Sequence, residues 1–260
     1  MAQLSVWFRN LLFNESGNKV VTVIGSGGKT SLIWHLAAYF GRAAFTSTRP
    51  DFKILVTPTT KMYVPPAEEK LYDRYINGVP PGPAPGITLT GIFNESSGKL
   101  ESLPLPQLGK IIPAHDLVLI EGDGSRGLPL KAWAENEPVV PPFTDLTVGM
   151  LPIWPLGRPV SEDIVHRLPI FLALTGAAPG ESLKPEHLVR LITGRKAESG
   201  AIPGLFAKAH GKKLLFFNQV EDDSALAQAR ELARLLLPGF REGLCGIIAG
   251  TVRENTITEL

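Results

Sequence analysis

The chain is predicted to fold as a three-layered α/β domain on a mostly parallel sheet with an antiparallel hairpin edge. Three observations predict this. Seven strand-like apolar runs recur: KVVTVIG, FKILVTP, GITLTGIF, DLVLIEGDG, DLTVGMLPI, KKLLFFNQV and LCGIIAGTV. Several lack the alternation of a half-exposed strand, as befits strands covered on both faces. Helical patterns, expected over 30–40, 105–112, 162–174, 185–192 and 224–237, separate several of these runs and give the β-then-α rhythm of a doubly wound sheet. Finally, GITLTGIFNESSGKLESLPL holds two short runs around NESSG and reads as the edge hairpin.

The 260 residues suit a single domain, 1–260, with residues 161–192 as a helical cap over the C-terminal strand ends. The stretch 62–88 carries six prolines, and its last part excludes regular structure. It is either a rigid surface connection or a lid. At the N-terminus Leu4, Trp7, Phe8, Leu11 and Leu12 have helical spacing, and Arg9 and Asn10 interrupt any leader-like run. No window reaches the apolar length of a membrane span. Lysine and arginine number 26 against 25 acidic residues, without a basic block, which argues against general nucleic-acid binding. Cys245 is the single cysteine, so it forms no disulfide within the chain and reads as a small core residue. A cytoplasmic protein is expected.

The most informative stretch is VTVIGSGGKTSL. An apolar strand runs into Gly25, Ser26, Gly27 and Gly28, and Lys29, Thr30 and Ser31 open a helix. Such a turn aims backbone N–H groups into a concavity at the positive end of the helix dipole, which suits phosphate oxygens. Lys29 would reach the terminal phosphates of ATP or GTP, and Thr30 would hold the accompanying Mg2+. Val23 stands where the first glycine of the usual G-x-x-x-x-G-K-[ST] pattern would be. The shorter form resembles the G-T-x-G-K-T loop of Mur-ligase and folylpolyglutamate-synthetase ATPases, which implies a P-loop NTPase-like fold.

A metal beside such a loop needs a carboxylate. Glu121 and Asp123 follow the apolar run 117–120, where ligands of parallel sheets bind, and on an extended chain both face one way. Both are expected at one Mg2+, with Ser125, Arg126 and Lys131 beside them for an anionic substrate and Arg126 stabilising transferred charge. Thr59, Thr60 and Lys61 end another strand and offer further polar contacts. Asn218 in FFNQVED is placed near a nucleotide base, since the segment is a loose form of the N-K-x-D motif of GTPases. His166 and Arg167 are expected in a helix capped by Ser161, as an anion-facing pair.

Taken together, VVTVIGSGGKTSL, LVTPTTKM, IEGDGSRGLPLKAWAENEPVVPP, SEDIVHR and FFNQVED occur in the order seen in the accessory proteins of selenium-dependent molybdenum hydroxylases, the YqeC family, and the resemblance covers nearly the whole chain. Its most specific element is Asp123 to Lys131 with the Glu135–Pro138 segment. Pro58 and the loose NQVED depart from the family's usual residues. The resemblance implies a cytoplasmic nucleotide-binding protein whose partner is the hydroxylase or its cofactor. Three functions follow: a maturation enzyme that spends the triphosphate, a nucleotide-gated chaperone, or a binding module without hydrolysis.

Overall fold

A computed structural model describes residues 2–13, 19–42, 49–197, 200–238, 240 and 242–260. The strands are β1 (Ala2–Gln3), β2 (Lys19–Gly25), β3 (Lys53–Pro58), β4 (Lys61–Tyr63), β5 (Arg74–Asn77), β6 (Gly86–Asn94), β7 (Lys99–Glu101), β8 (Leu117–Glu121), β9 (Leu130–Lys131), β10 (Leu146–Pro152), β11 (Val165–His166), β12 (Arg195–Ala197), β13 (Gly200–Ile202), β14 (Lys212–Asn218), β15 (Leu244–Thr251) and β16 (Thr256–Glu259). The α-helices are α1 (Leu4–Phe13), α2 (Lys29–Gly41), α3 (Leu105–Ile111), α4 (Leu168–Thr175), α5 (Pro185–Thr193) and α6 (Asp223–Leu236).

One sheet dominates, with strand order β1-β16-β15-β14-β10-β2-β8-β3-β6-β7-β4 and β5 beside β6. Its centre, from β15 across to β6, is parallel. Both ends are antiparallel, through β1 and β16 at one and β7 and β4 at the other. The expected hairpin is β6 with β7, registered Phe93 to Leu100.

Alternation along the strands divides the core between the two faces. Val21, Val23, Leu214 and Phe216 pack under α1 and α2, with Phe8 and Phe40. Leu215 and Phe217 face the opposite way, into α4, α5 and α6, with Phe171, Leu188 and Leu232. Leu55, Val118 and Ile120 pack on α3. Helices thus cover both faces, which accounts for the continuous apolar runs. Among the described residues no helix is long and apolar enough to cross a membrane.

Three local expectations need correction. Residues 162–174 are not one helix. Val165–His166 pairs in parallel with Leu130–Lys131, and α4 starts only at Leu168. Pro169 lies in the first turn, and the residue ahead of the helix, Arg167, adopts φ 65. Proline suits a first turn and disfavours a helix running into it from upstream. The proline-rich stretch 62–88 is also more regular than expected, because Arg74–Asn77 adds a parallel strand to β6. Residues 78–85 between β5 and β6 do lack helix and strand. Cys245 is exposed rather than in the core, since the first residues of β15 precede its buried stretch.

The strand order fixes where a site can form. The chain passes from β2 outward to β3, returns to β8 beside β2, and then crosses to β10 on the other side. The C-terminal end of β2 is therefore a topological switch point, where open α/β sheets leave a crevice.

Candidate functional site

β2 ends at Gly25, in that crevice. Gly25, Gly27 and Gly28 have φ of 95, 74 and 120, a region open chiefly to glycine. A Cβ at Gly25 would lie 2.2 Å from the Met150 carbonyl oxygen, and one at Gly28 2.4 Å from Asn218 Nδ2. Ser26 is buried; its N–H donates to the Met150 carbonyl at 2.9 Å and its hydroxyl to the Pro129 carbonyl at 2.7 Å. Asn218 Nδ2 donates to the Gly27 carbonyl at 2.7 Å. The loop is thus tied to its neighbours through a serine and an asparagine, and no side chain caps the first turn of α2. The first-turn amides of a helix have no intrahelical acceptor.

Lys29 is buried and turns back to its own loop, donating to the Gly25 carbonyl at 2.7 Å with Asp123 Oδ1 at 3.4 Å. Beside it the Thr30 hydroxyl donates to Glu121 Oε2 at 2.8 Å. Burial raises the Glu121 carboxyl above its ordinary range, against the opposing pull of Lys29 and the Thr30 bond.

Asp123 behaves differently from Glu121. β8 stops at Glu121, so the two carboxylates are not successive outward positions of one strand. Asp123 has no exposed side-chain surface. It accepts from the Gly25 N–H at 3.0 Å and from Trp133 Nε1 at 2.7 Å, and Lys131 Nζ lies 3.1 Å away. It braces the loop from behind, whereas Glu121 meets it from the side of Thr30.

Lys131, also without exposed surface, joins this cluster to a second carboxylate, donating to Glu137 Oε2 at 2.9 Å and to the Gly124 carbonyl at 2.6 Å. Arg167 grips Glu137 with two bonds, at 2.7 and 3.0 Å. Burial alone would raise the Glu137 carboxyl, but Arg167 and Lys131 outweigh it and bring it to about 2. Parallel pairing of β9 with β11 sets His166 opposite Lys131. The His166 imidazole is held below its ordinary range, first by burial and then by Arg167, Arg126 and Lys131.

Two clefts open here. A cleft of about 770 Å³ is lined by Gly27 to Ser31, Glu121, Ser125, Arg126, Trp154 and Gln219. A second, of about 810 Å³, is lined by Thr59, Thr60, Glu101, Glu137, His166 and Arg167. Lys61, Lys99, Gly124 and Arg126 line both. Arg126 is exposed, with φ 54. Lys61 pairs with Glu101 at 2.7 Å. Thr59 is buried, its hydroxyl donating to the Val139 carbonyl at 2.6 Å.

Most of the residues singled out in the sequence therefore converge on these clefts. Asn218 and Asp123 instead hold the loop from within the protein, and Lys131 lies behind the clefts. Sequence reasoning passed over Lys99, Trp133, Glu137 and Trp154. Glu137 stood in the Glu135–Pro138 segment, a usable signal; Lys99 lies in the edge hairpin, where no local motif marks it. Among the described residues no group of three or more His, Cys, Asp or Glu is placed to hold a metal ion. Mg2+ in a phosphate site typically takes only one or two protein carboxylates, with phosphate and water oxygens completing its shell.

The fold and site define an α/β protein whose glycine-rich strand–helix loop lies at the switch point of a mostly parallel sheet. The chain belongs to the YqeC family, whose model, described as "YqeC protein", matches residues 21–169. It is 28% identical over 247 residues to "Uncharacterized protein YqeC" of Escherichia coli (strain K12), covering 91% of this chain and 88% of that relative. No solved structure matches it.

Proposed function

We propose that the chain binds ATP or GTP with Mg2+ at the 25–30 loop, and that it uses the nucleotide to help mature selenium-dependent molybdenum hydroxylases. The observation that carries the nucleotide reading is the Thr30–Glu121 pair, a hydroxyl and a carboxylate 2.8 Å apart beside a loop lysine. Both are hard oxygen ligands suited to Mg2+. The amides of the loop and of the first turn of α2 would hold phosphate oxygens. Lys29 would exchange the Gly25 carbonyl for a phosphate oxygen, Lys131 remaining beside Asp123. Arg126 would orient the terminal anion. Bound Mg2+ would supply charge neutralisation at the phosphates. The maturation role rests on the resemblance of the Asp123–Lys131 and Glu135–Pro138 segments.

The test is a titration of ATP and GTP, with and without Mg2+, on the wild-type chain and on Lys29→Ala. Loss of binding and turnover in the variant is expected. Unchanged affinity and turnover in a folded variant would sink the loop reading.

A nucleotide-gated binding module for the hydroxylase or its cofactor is the second reading. Its support is a set of exposed apolar side chains at the hairpin end of the sheet, Tyr63 and Ile92 on one face and Phe93 on the other. Turnover that appears only with the hydroxylase present would favour it; turnover by the chain alone would count against it.

A further inference from the structure

The second cleft has a charge pattern of its own. Four cations and two carboxylates line it. Glu101 is taken up by Lys61, and Glu137 by Arg167 and Lys131. Among the described residues, neither Lys99 nor Arg126 has a carboxylate within salt-bridge distance. Both stand where the two clefts meet. Lys99 comes from the hairpin, its ammonium 4.2 Å from the centre of the Tyr63 ring, a contact that places the charge without neutralising it. Arg126 comes from a different part of the chain, the segment after β8. In the same wall the Thr60 hydroxyl has no hydrogen-bond partner, an unfavourable state that an acceptor in the cleft would relieve on rotation of the side chain.

We propose that the second cleft binds a small molecule bearing a phosphate or carboxylate group, which is held between Lys99 and Arg126 at the junction with the loop cleft. Its volume suits a metabolite-sized ligand, and the carboxylates in its walls disfavour a nucleic-acid backbone. An anion at the junction would lie next to the terminal phosphate of a nucleotide in the first cleft, so the ligand is the co-substrate. That last step rests on the nucleotide reading; anion binding does not.

The experiment uses two probes, pyrophosphate and citrate, titrated calorimetrically on Lys29→Ala, in which the loop site is weakened. One equivalent of at least one probe is expected to bind, and the probe that binds identifies the preferred anion. Adding Lys99→Ala or Arg126→Ala should weaken it about tenfold. Lys61→Ala should do less, because Glu101 already takes up its charge. No uptake by Lys29→Ala, or unchanged affinity after removal of Lys99 and Arg126, overturns the proposal. If Lys29→Ala melts early, the probes are titrated on wild type and on the Lys99→Ala, Thr60→Val double variant, two positions that the nucleotide reading does not use. Loss of one bound equivalent is then expected, and full retention overturns it. A chain that ignores ATP and GTP but still takes the probe through Lys99 and Arg126 would sink the nucleotide reading and leave this one standing. Nucleotide binding with an indifferent second cleft would do the reverse.

Discussion

The Asn218 carboxamide stitches the loop to the sheet: its Nδ2 donates to the Gly27 carbonyl at 2.7 Å, and its Oδ1 accepts from the Val252 N–H at 3.1 Å. Both ends of the side chain are spent on backbone, which leaves little for reading a base. Asn218→Ala should therefore weaken ATP and GTP binding equally and cost about 1–3 kcal/mol of stability through the orphaned groups. Nucleotide titrations and urea melts check this. A selective loss of one base would return Asn218 to base recognition.

Trp154 is a better candidate for the base. Its ring is 44% exposed, lines the loop cleft and is steadied by a bond from Nε1 to Gln219 Oε1. Stacking of a base on an aromatic ring contributes about 1–3 kcal/mol. Trp154→Ala should weaken ATP or GTP at least fivefold and leave pyrophosphate, which has no base, unaffected. Equal loss for both ligands would assign Trp154 to the shape of the loop.

Glu121→Gln keeps an acceptor for Thr30 but removes the charge a divalent cation needs. The magnesium requirement for nucleotide binding should rise about tenfold or more, while metal-free phosphate binding persists. Superimposable magnesium titrations for variant and wild type would remove Glu121 from the site.

Lys131 should contribute more to stability than its surface counterparts. Lys131→Met leaves Asp123 and Glu137 short of a shared cation in a buried setting. Removing one partner of a buried ion pair typically costs about 3–5 kcal/mol. Chemical denaturation measures this, and a loss below about 1 kcal/mol would show that Lys29 and Arg167 suffice.

Glu137 sets an acid limb. Its carboxyl titrates near 4.5 when unfolded and at about 2 when folded. A depressed folded value adds stability that is complete above the unfolded value and fades as pH falls toward the folded one. Solvent screening of this half-buried carboxylate reduces the linked stability to about 1–2 kcal/mol, which should disappear between these limits. Glu137→Gln should be less stable than wild type at neutral pH, with the gap closing on acidification. Parallel stability profiles would contradict the assignment.

Much of the scaffold was legible because both faces of the sheet are covered: apolar runs marked β2, β8, β10 and β14, and the Gly-Lys-Thr turn marked the start of α2. Charge partners were less legible. Glu121 and Asp123 share a side only while the chain stays extended, and β8 ends before Asp123. The partners that claim Asp123, Trp133 and Lys131, arrive through packing that no local spacing encodes. Likewise Ser161 and the apolar spacing after it suggested a helix through His166, but pairing with β9 prevailed.

The position of β2 also governs how the molecule comes into being. Lys19 aligns with Leu117 on one flank, and Val21 with Leu146 on the other. During synthesis the central strand is made well before either lateral neighbour, β8 or β10. Non-local pairing of this kind slows folding and leaves apolar segments exposed meanwhile. The nascent chain therefore carries a sticky, unpaired 20–24 segment until residues 117–121 and 146–150 emerge, the interval when holdase chaperones would matter most.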